Sequence, residues 1–188
     1  MTDDTAIEPY GWDPGWEASF QAALGHPPGS EIDGPVPGRV VRHDGAGFVV
    51  ATRGGPVRAM FGPSVDPAPV VGDWVIVDSI PNPRLTLPRR SLLRRRAAGG
   101  EGEQAMAANV DVVLIVCGLD RPVRLGRIQR TMTLANDAGA EYLVVLTKAD
   151  TVGPQAAAVA EVTASEADPD LRVVTLSALG GWGITDLL

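Results

Sequence analysis

The sequence is almost free of lysine and cysteine. Of its 16 basic residues, Lys148 is the sole lysine, so every other fixed positive charge is an arginine. Cys117 is the single cysteine, which excludes an internal disulfide framework and is typical of a reducing compartment. His26 and His43 have no cysteine or histidine at ligand spacing, so no metal site is predicted from them.

Long hydrophobic runs and a leader pattern are also missing. The opening residues, MTDDTAIEPY, contain no basic stretch and no apolar stretch, which argues against a secretory signal. The apolar run VVLIVC is far shorter than the roughly 20 residues that a helix needs to cross a bilayer. With 45% apolar residues the chain can nevertheless bury a core. We therefore expect a soluble, cytoplasmic, monomeric protein with no membrane partner.

Charge is segregated along the chain, although the net charge is only −7. Residues 1–34 contain seven acids and no lysine or arginine, whereas residues 35–96 contain ten arginines and four acids. Residues 97–188 contain six bases and twelve acids. The middle segment is thus a basic island, which indicates a surface for a polyanion.

The acidic segment 1–34 is predicted to contain one short helix and a linker. Asp13 and Pro14 suit the N-cap and the first helical position. Trp16, Phe20 and Leu24 then recur every four residues, which places them on one helical face. The stretch GHPPG is predicted to end the helix, and GSEIDGPVPG is predicted to link it to the next segment.

The segment 35–97 is predicted to form a small OB-like barrel that binds RNA. Short strands alternate there with turn clusters such as HDGAG and TRGGP, and the first two turns are short enough for hairpins. Five strands of this length suit a closed barrel of the OB or SH3-like type, and OB barrels commonly bind oligonucleotides. The predicted strands are GRVVR, GFVVAT, VRAMF, GDWVIVDSI and RLTLPRRS.

The segment 98–188 is predicted to be a parallel α/β unit. VDVVLIVCGL is a continuous apolar run, typical of a strand that is covered on both faces. A helix follows, with one apolar face, and then YLVVLT, a helix over about 154–164, LRVVTL and the beginning of a helix at GITDLL. The apolar face of the first helix consists of Leu125, Ile128, Met132 and Ala135. Ligands of such sheets bind beyond the carboxyl ends of the strands, where TKAD and SALGG fall.

The stretch TKAD contains the single lysine and predicts a guanine-reading loop. Asp150 can accept two parallel hydrogen bonds from the N1–H and the exocyclic amine of guanine, whereas adenine presents an acceptor at N1. The methylene stem of Lys148 can lie flat on a purine, which the shorter stem and wide planar head of arginine would not reproduce. In the alternative interpretation, Asp150 only caps the next helix and Lys148 is a solvated surface residue.

A second loop, SALGG, supplies the other half of the base site. After Ser177, the backbone N–H of Ala178 is placed to donate to the guanine O6. The two loops resemble the base-recognition pair of Ras-like GTPases, Asn-Lys-x-Asp and Ser-Ala-x, with Ala149 at the variable position. Thr147 stands where that pattern has Asn, so it keeps a hydroxyl group but lacks the amide.

The order of motifs is more specific than either loop. A phosphate-binding loop needs Gly-x4-Gly-Lys-Ser/Thr, and the sole lysine already belongs to TKAD. The succession YGWD, VGDWV, LPRRS, EQAMAANVD, TKAD and SA resembles the circularly permuted, ribosome-small-subunit-dependent GTPases of the RsgA or YjeQ family. The implied fold is β plus α/β: a helix, a five-stranded OB-like barrel and an incomplete Ras-like, circularly permuted GTPase domain.

The resemblance implies a GTPase that binds GTP or GDP and acts in late maturation of the small ribosomal subunit, with its barrel on ribosomal RNA. In that family the phosphate loop, the switch regions and a zinc-binding domain follow the Ser-Ala loop. The implied Mg²⁺ and Zn²⁺ therefore have no ligands here, and no catalytic residue can be named. We expect that these 188 residues alone do not hydrolyse GTP. The alternative is a non-catalytic RNA-binding OB module with a remnant α/β domain.

Six arginines crowd the last predicted barrel strand and its exit, and they are the candidate RNA-binding residues. A guanidinium can contact phosphates bidentately, so a cluster there would suit an RNA backbone. The alternative is a solvated barrel face that balances the acidic helix. The six residues are Arg84, Arg89, Arg90, Arg94, Arg95 and Arg96.

Overall fold

The chain folds into two units in a computed structural model that describes residues 7–25, 34–45, 47–60, 65–78, 83–96 and 102–187. The first unit is Met1–Asn109 and the second is Val110–Leu188. The first unit therefore extends past the predicted boundary at residue 97. The first half of the predicted linker GSEIDGPVPG, residues 29–33, lies outside the described residues, and its last three residues belong to strand rather than linker.

In its described residues the first unit contains one α-helix and seven strands. A short 3-10 turn at Glu8–Tyr10 precedes helix α1 at Pro14–Ala23. The strands are β1 Val36–His43, β2 Phe48–Thr52, β3 Gly55–Ala59, β4 Trp74–Val77, β5 Pro83–Thr86, β6 Leu92–Arg96 and β7 Glu103–Ala108.

Five of these strands form one antiparallel sheet in the order β3-β2-β1-β4-β5. Strand β4 pairs with β1 next to the β1–β2–β3 meander, which is the arrangement of a Greek key. Five such strands are the content of a partly open OB-type barrel. Among the described residues no ladder joins β3 to β5, so the sheet order is that of an open rather than a closed barrel.

Strand β4 is buried on both faces, and its successive side chains point alternately into two separate hydrophobic clusters. Trp74 and Ile76 pack in a cluster with Trp16 and Phe20 of α1. Val75 points the other way and packs against residues of β1, β2 and β3. Helix α1 is therefore held by apolar contacts with one face of the sheet, as its four-residue apolar period predicts.

The start of α1 is the one predicted from the sequence. Asp13 is the N-cap, its carboxylate accepts a hydrogen bond from the Trp16 N–H at 2.9 Å, and Pro14 is the first helical residue. Arg90 adds a second anchor: its guanidinium pairs with Asp13 at 2.6 Å and lies 4.2 Å from the Trp16 ring centroid. The hydrogen bond from Arg90 lowers the pKa of Asp13 well below its ordinary range.

The predicted strand RLTLPRRS is too long, because β5 contains only its first three residues, Arg84 to Thr86, and β6 begins after it at Leu92. Strand β6 pairs with β7 in EQAMAA, where no strand is predicted from the sequence. Gly72 allows this pair to approach the larger sheet: its φ is +92°, and a Cβ atom there would lie 2.0 Å from the Ala108 carbonyl oxygen. The two strands are close in sequence, but EQAMAA contains no β-branched or aromatic residue, so the local pattern does not indicate β7.

Asp73, just before β4, is completely buried, and both of its carboxylate oxygens accept hydrogen bonds. Its two carboxylate oxygens accept from the Arg89 Nε at 2.8 Å and Nη2 at 2.7 Å. The Val70 N–H donates to the same carboxylate at 2.7 Å. A bidentate pair of this kind fixes the loop that enters β4.

The second unit has three parallel strands and two helices. Its elements are β8 Val112–Gly118, α2 Leu125–Ala138, β9 Glu141–Thr147, α3 Pro154–Ser165 and β10 Val173–Thr175. The strand order is β10-β9-β8, with β9 in the centre. The predicted parallel α/β arrangement is confirmed, whereas residues 183–187 form turns rather than the beginning of a helix.

Both helices cover the same face of this sheet. Ile128, Met132 and Ala135 of α2 are buried as predicted, and the first two pack on Ile115 and Cys117 of β8. Leu125, the fourth predicted member of the face, is only half-buried.

The prediction that β8 is covered on both faces is wrong for this chain. On the face opposite the helices, Val112, Leu114 and Val116 are 44%, 47% and 46% exposed. The neighbouring strand β9 keeps Leu143 and Val145 buried on that face. The apolar run of β8 is thus suited to two covered faces, while only one is covered among the described residues.

None of the described helices is both long and apolar enough to cross a membrane.

We expect Arg89→Ala to destabilise the first unit by about 3 kcal/mol or more, because it leaves the Asp73 carboxylate buried and unpaired. Urea unfolding followed by tryptophan fluorescence reports on this unit, since the Trp12, Trp16 and Trp74 cluster lies within it.

Arg84→Ala is the matched control. Arg84 pairs with Asp78 but its side chain is 70% exposed, against 14% for Arg89. We expect this variant to lose less than about 1 kcal/mol. Equal losses for the two variants would show that the Asp73–Arg89 pair has no special role.

Candidate functional site

The two predicted base loops meet at the carboxyl edge of the parallel sheet. Strand β9 ends at Thr147, and its Leu146 is in register with Thr175, the last residue of β10. The register carries on into the loops, because the Leu176 N–H donates to the Leu146 carbonyl at 2.9 Å and the Ala149 N–H donates to the Leu176 carbonyl at 3.3 Å. The loops TKAD and SALGG are therefore neighbours.

A buried serine joins the two loops directly. The Ser177 hydroxyl donates to the Asp150 carboxylate and accepts from the Gly180 N–H at 2.8 Å. Ser177 is completely buried, so it is a structural link rather than a surface contact. Trp182 closes the second loop, since its N–H and carbonyl pair with those of Ser177 at 3.2 and 3.0 Å. Asp150 is consequently fixed in position, although it is itself exposed.

The backbone at Lys148 adopts a left-handed conformation with φ of 59° and ψ of 35°. A residue with a long side chain seldom occupies this region, and doing so costs roughly 1–3 kcal/mol. The Thr151 N–H and hydroxyl both donate to the Lys148 carbonyl, at 3.0 and 2.7 Å, and stabilise the turn. The turn directs the chain so that Ala149 is buried while Lys148 and Asp150 on either side of it are exposed.

The Lys148 ammonium is held by a residue that follows β8. Its Nζ donates to Asp120 Oδ2 at 2.9 Å. This hydrogen bond lowers the pKa of the Asp120 carboxyl from its ordinary value, and the charges of Lys148 and Arg121 lower it further. The lysine therefore has a fixed anionic partner at the far end of its stem.

Gly118 makes room for this ion pair. A Cβ atom at position 118 would lie 2.5 Å from Asp120 Oδ1 and 3.6 Å from the Cδ and Cε atoms of Lys148. Any larger residue would displace the aspartate. Asp120 does not cap the helix that follows it, because the N-cap of α2 is Arg124, which makes no side-chain capping bond.

The alternative in which Asp150 caps the next helix is wrong. Asp150 lies in a 3-10 turn at Ala149–Thr151, and α3 begins later with Gly153 at its N-cap. The predicted base-contacting residues Lys148, Asp150 and Ala178 are all exposed at the sheet edge, whereas Thr147 is half-buried at the end of β9.

The six predicted RNA-binding arginines occupy different environments. Arg89 is 14% exposed and its guanidinium is used by Asp73 and by the Ala68 carbonyl at 2.8 Å. Arg90 is paired with Asp13 on α1. These two side chains hold the first unit together in different ways: Arg90 balances an acid of the helix, as the alternative implies, whereas Arg89 is not solvated and neutralises the buried Asp73.

The other four are more accessible. Arg84 pairs with Asp78, Arg94 lies 2.9 Å from Glu103, and Arg95 donates to Gln104 at 3.0 Å. Arg96 is exposed at the end of β6 and has no ion pair among the described residues. Strand β6 therefore presents three consecutive arginines whose partners are themselves at the surface.

The described residues do not fit the metals that the family resemblance implies. No three His, Cys, Asp or Glu residues cluster there in a way that could hold an ion. No step of the function is therefore derived through a metal.

The fold and the site define a class: a parallel α/β unit whose TKAD and SALGG loops meet at one edge and follow, rather than precede, an OB-type sheet. A family model described as "RsgA GTPase" matches residues 86–188. The chain belongs to the RsgA GTPase family.

Relatives with similar sequences include proteins named "Small ribosomal subunit biogenesis GTPase RsgA". The Streptomyces avermitilis protein is 40% identical over 95% of this chain and 49% of its own length. The Streptomyces coelicolor protein is 38% identical over 97% of this chain and 50% of its own length. The chain thus spans about half the length of the curated relatives it matches.

Two solved structures have a similar fold. YjeQ from Thermotoga maritima superposes with a TM-score of 0.59 at 22% identity, covering 81% of this chain and 55% of that one. YloQ, described as a circularly permuted GTPase, gives a TM-score of 0.56 at 15% identity over the same shares. These likenesses confirm the predicted β plus α/β fold class.

We expect Lys148→Met to raise the pKa of Asp120 towards the ordinary value of a solvated aspartate, about 3.9. The reason is that the variant removes the main hydrogen-bond donor to the carboxylate. In the parent chain the pair should persist as the pH falls to that value and break only below it. Carboxyl-detected NMR titration measures the midpoint.

Arg121→Gln is the control, since Arg121 lies farther from the same carboxylate, at 3.9 Å. It should move the midpoint less than Lys148→Met does. An unchanged midpoint in Lys148→Met would contradict the ion pair.

Proposed function

We propose that this chain is the base-reading part of a cytoplasmic GTPase that acts in late maturation of the small ribosomal subunit. The family membership and the names of the relatives support the assignment. The observation that carries it is the hydrogen bond from Ser177 to Asp150, because it fixes the two base loops side by side.

In the proposed complex each loop reads one part of the guanine edge. The Asp150 carboxylate accepts from N1–H and the exocyclic amine, and the Ala178 N–H donates to O6. The Lys148 stem packs on the ring, with its ammonium held at 2.9 Å from Asp120. Adenine is rejected because its N1 acceptor would face the Asp150 carboxylate and its exocyclic amine, a donor, would face the Ala178 N–H.

We propose that the RNA contact of the first unit is made by Arg94, Arg95 and Arg96 of β6, supported by the exposure of that strand. Arg89 and Arg90 contribute indirectly by maintaining the fold that presents it. Binding to phosphates by these side chains implies an affinity that falls steeply as salt rises.

We expect no GTP hydrolysis by the 188 residues, because they contain no Gly-x4-Gly-Lys-Ser/Thr loop and most nucleotide affinity normally comes from contacts with the phosphates. A phosphate-release assay with and without small ribosomal subunits tests this. Subunit-stimulated release by the purified chain would refute it.

We expect Asp150→Asn to change the preferred base from guanine to xanthine. Xanthine has a carbonyl at the position of the guanine exocyclic amine, so the asparagine amide can donate where the carboxylate accepted. Saturation-transfer NMR should show that the parent chain prefers GMP over XMP and AMP. The variant should prefer XMP over GMP by about tenfold, which corresponds to roughly 1.4 kcal/mol.

Asp137→Asn, an exposed change near the end of α2, is the matched control and should leave the GMP preference unchanged. IMP, which lacks the exocyclic amine, should bind the parent chain more weakly than GMP. If GMP, IMP and AMP bind equally well, the two loops do not read guanine.

A further inference from the structure

A cavity of about 520 Å³ lies beside α2, at the edge of β8 that no described strand covers. The segment 97–188 contains only six basic residues, and five of them line this cavity. They are Arg121, Arg124, Arg127, Arg130 and Lys148. The same segment contains twelve acids, so its net charge is negative although the lining of this cavity is mainly basic.

Three of these arginines have no acidic partner within the described part of the second unit. Arg124, Arg127 and Arg130 are exposed and make no ion pair there. The arginines of the first unit differ, because most of them are paired with acids or with carbonyl groups. The α2 arginines therefore retain their full charge for an external anion.

Their position on the helix costs stability in the isolated chain. The amino end of a helix has a partial positive charge, so cations at the N-cap and in the first turn, here Arg124 and Arg127, are unfavourable. Helix α2 has no acid in its first turn and no base in its last turn, which is the reverse of the favourable distribution. Like charges three residues apart also repel each other. A bound polyanion would offset all of these costs.

The spacing of the three residues favours an extended anion. Positions 124, 127 and 130 advance about 4.5 Å per step along the helix axis and stay on one side of it. A single phosphate or diphosphate would engage only part of such a stripe, whereas a nucleic-acid backbone presents successive phosphates along its length. Asp120, which borders the same cavity, would also repel a phosphate held at the Lys148 end.

We propose that this stripe, Arg124, Arg127 and Arg130, is a second RNA-binding surface that contacts the sugar-phosphate backbone. It is located on the α/β unit and is separate from the arginines of β6. The inference rests on the proposed function only for the source of the RNA, the small ribosomal subunit. The phosphate contact itself follows from the charge and geometry of α2.

The test is fluorescence anisotropy with a labelled small-subunit rRNA hairpin and the whole chain. The triple variant Arg124→Gln, Arg127→Gln, Arg130→Gln keeps good helix formers at all three positions. We expect it to weaken binding by at least about tenfold at moderate salt, and to reduce the slope of log affinity against log salt by about three. The lysine triple variant keeps the charge and should retain most of the affinity.

Arg42→Gln, Arg58→Gln, Arg172→Gln is the matched control, because it removes the same charge from arginines that already have partners: Arg42 and Arg58 pair with Asp44, and Arg172 donates to the Asp186 carbonyl. It should change binding by less than about threefold. Parental RNA affinity in the α2 glutamine variant, with helicity unchanged by circular dichroism, would overturn the proposal.

Competition distinguishes the two sources of phosphate. If GDP or pyrophosphate displaces the RNA at concentrations that saturate the α2 site, the cavity binds nucleotide phosphates and the proposal is wrong. The GMP and XMP preferences do not depend on these arginines. If the chain fails to prefer GMP, the RNA-binding result for α2 still stands. If the α2 variant binds RNA normally, the proposed guanine recognition is unaffected.

Discussion

The candidate site depends on the parallel pairing of β9 with a strand on each side. Gly118 of β8 is in register with Thr147, and Thr175 of β10 is in register with Leu146. Because parallel strands end at the same edge, this register brings three loops from distant parts of the sequence together. The Lys148 turn, the aspartate after β8 and the serine after β10 then interact without any further adjustment of the backbone.

Arginine has two roles in this chain: some arginines stabilise the fold, and others keep a charge that an external anion can bind. The two groups differ in whether the acidic partner is buried. Arg89 neutralises the completely buried Asp73, so its charge is not available to an external ligand. Arg90 uses both its charge and its planar face to hold α1. The exposed arginines on β6 and α2 have weak partners or none in the described residues, which leaves their charge available. A count of basic residues along the sequence cannot make this distinction.

Local signals predicted much of the fold. The pair Asp13–Pro14 located the start of α1, and apolar periodicity located α2, strands β1 to β4 and the three parallel strands, because each depends only on neighbours in the chain. Two features were missed for different reasons. Strand β7 has no β-branched or aromatic residue, although it forms a hairpin with the nearby β6, whereas Asp120 meets Lys148 across 28 positions of sequence. Nothing in the composition of EQAMAA or GLD indicates those partners.

The position of the single cysteine has a practical consequence. Cys117 is 7% exposed beneath α2, and burial raises the pKa of its thiol. Thiolate, the reactive form, is therefore scarce while the helix is docked. A thiol-labelling reagent would modify this chain mainly during transient separation of α2 from the sheet, with no competing thiol elsewhere. The labelling rate of the unmodified protein thus reports how often its parallel α/β unit opens.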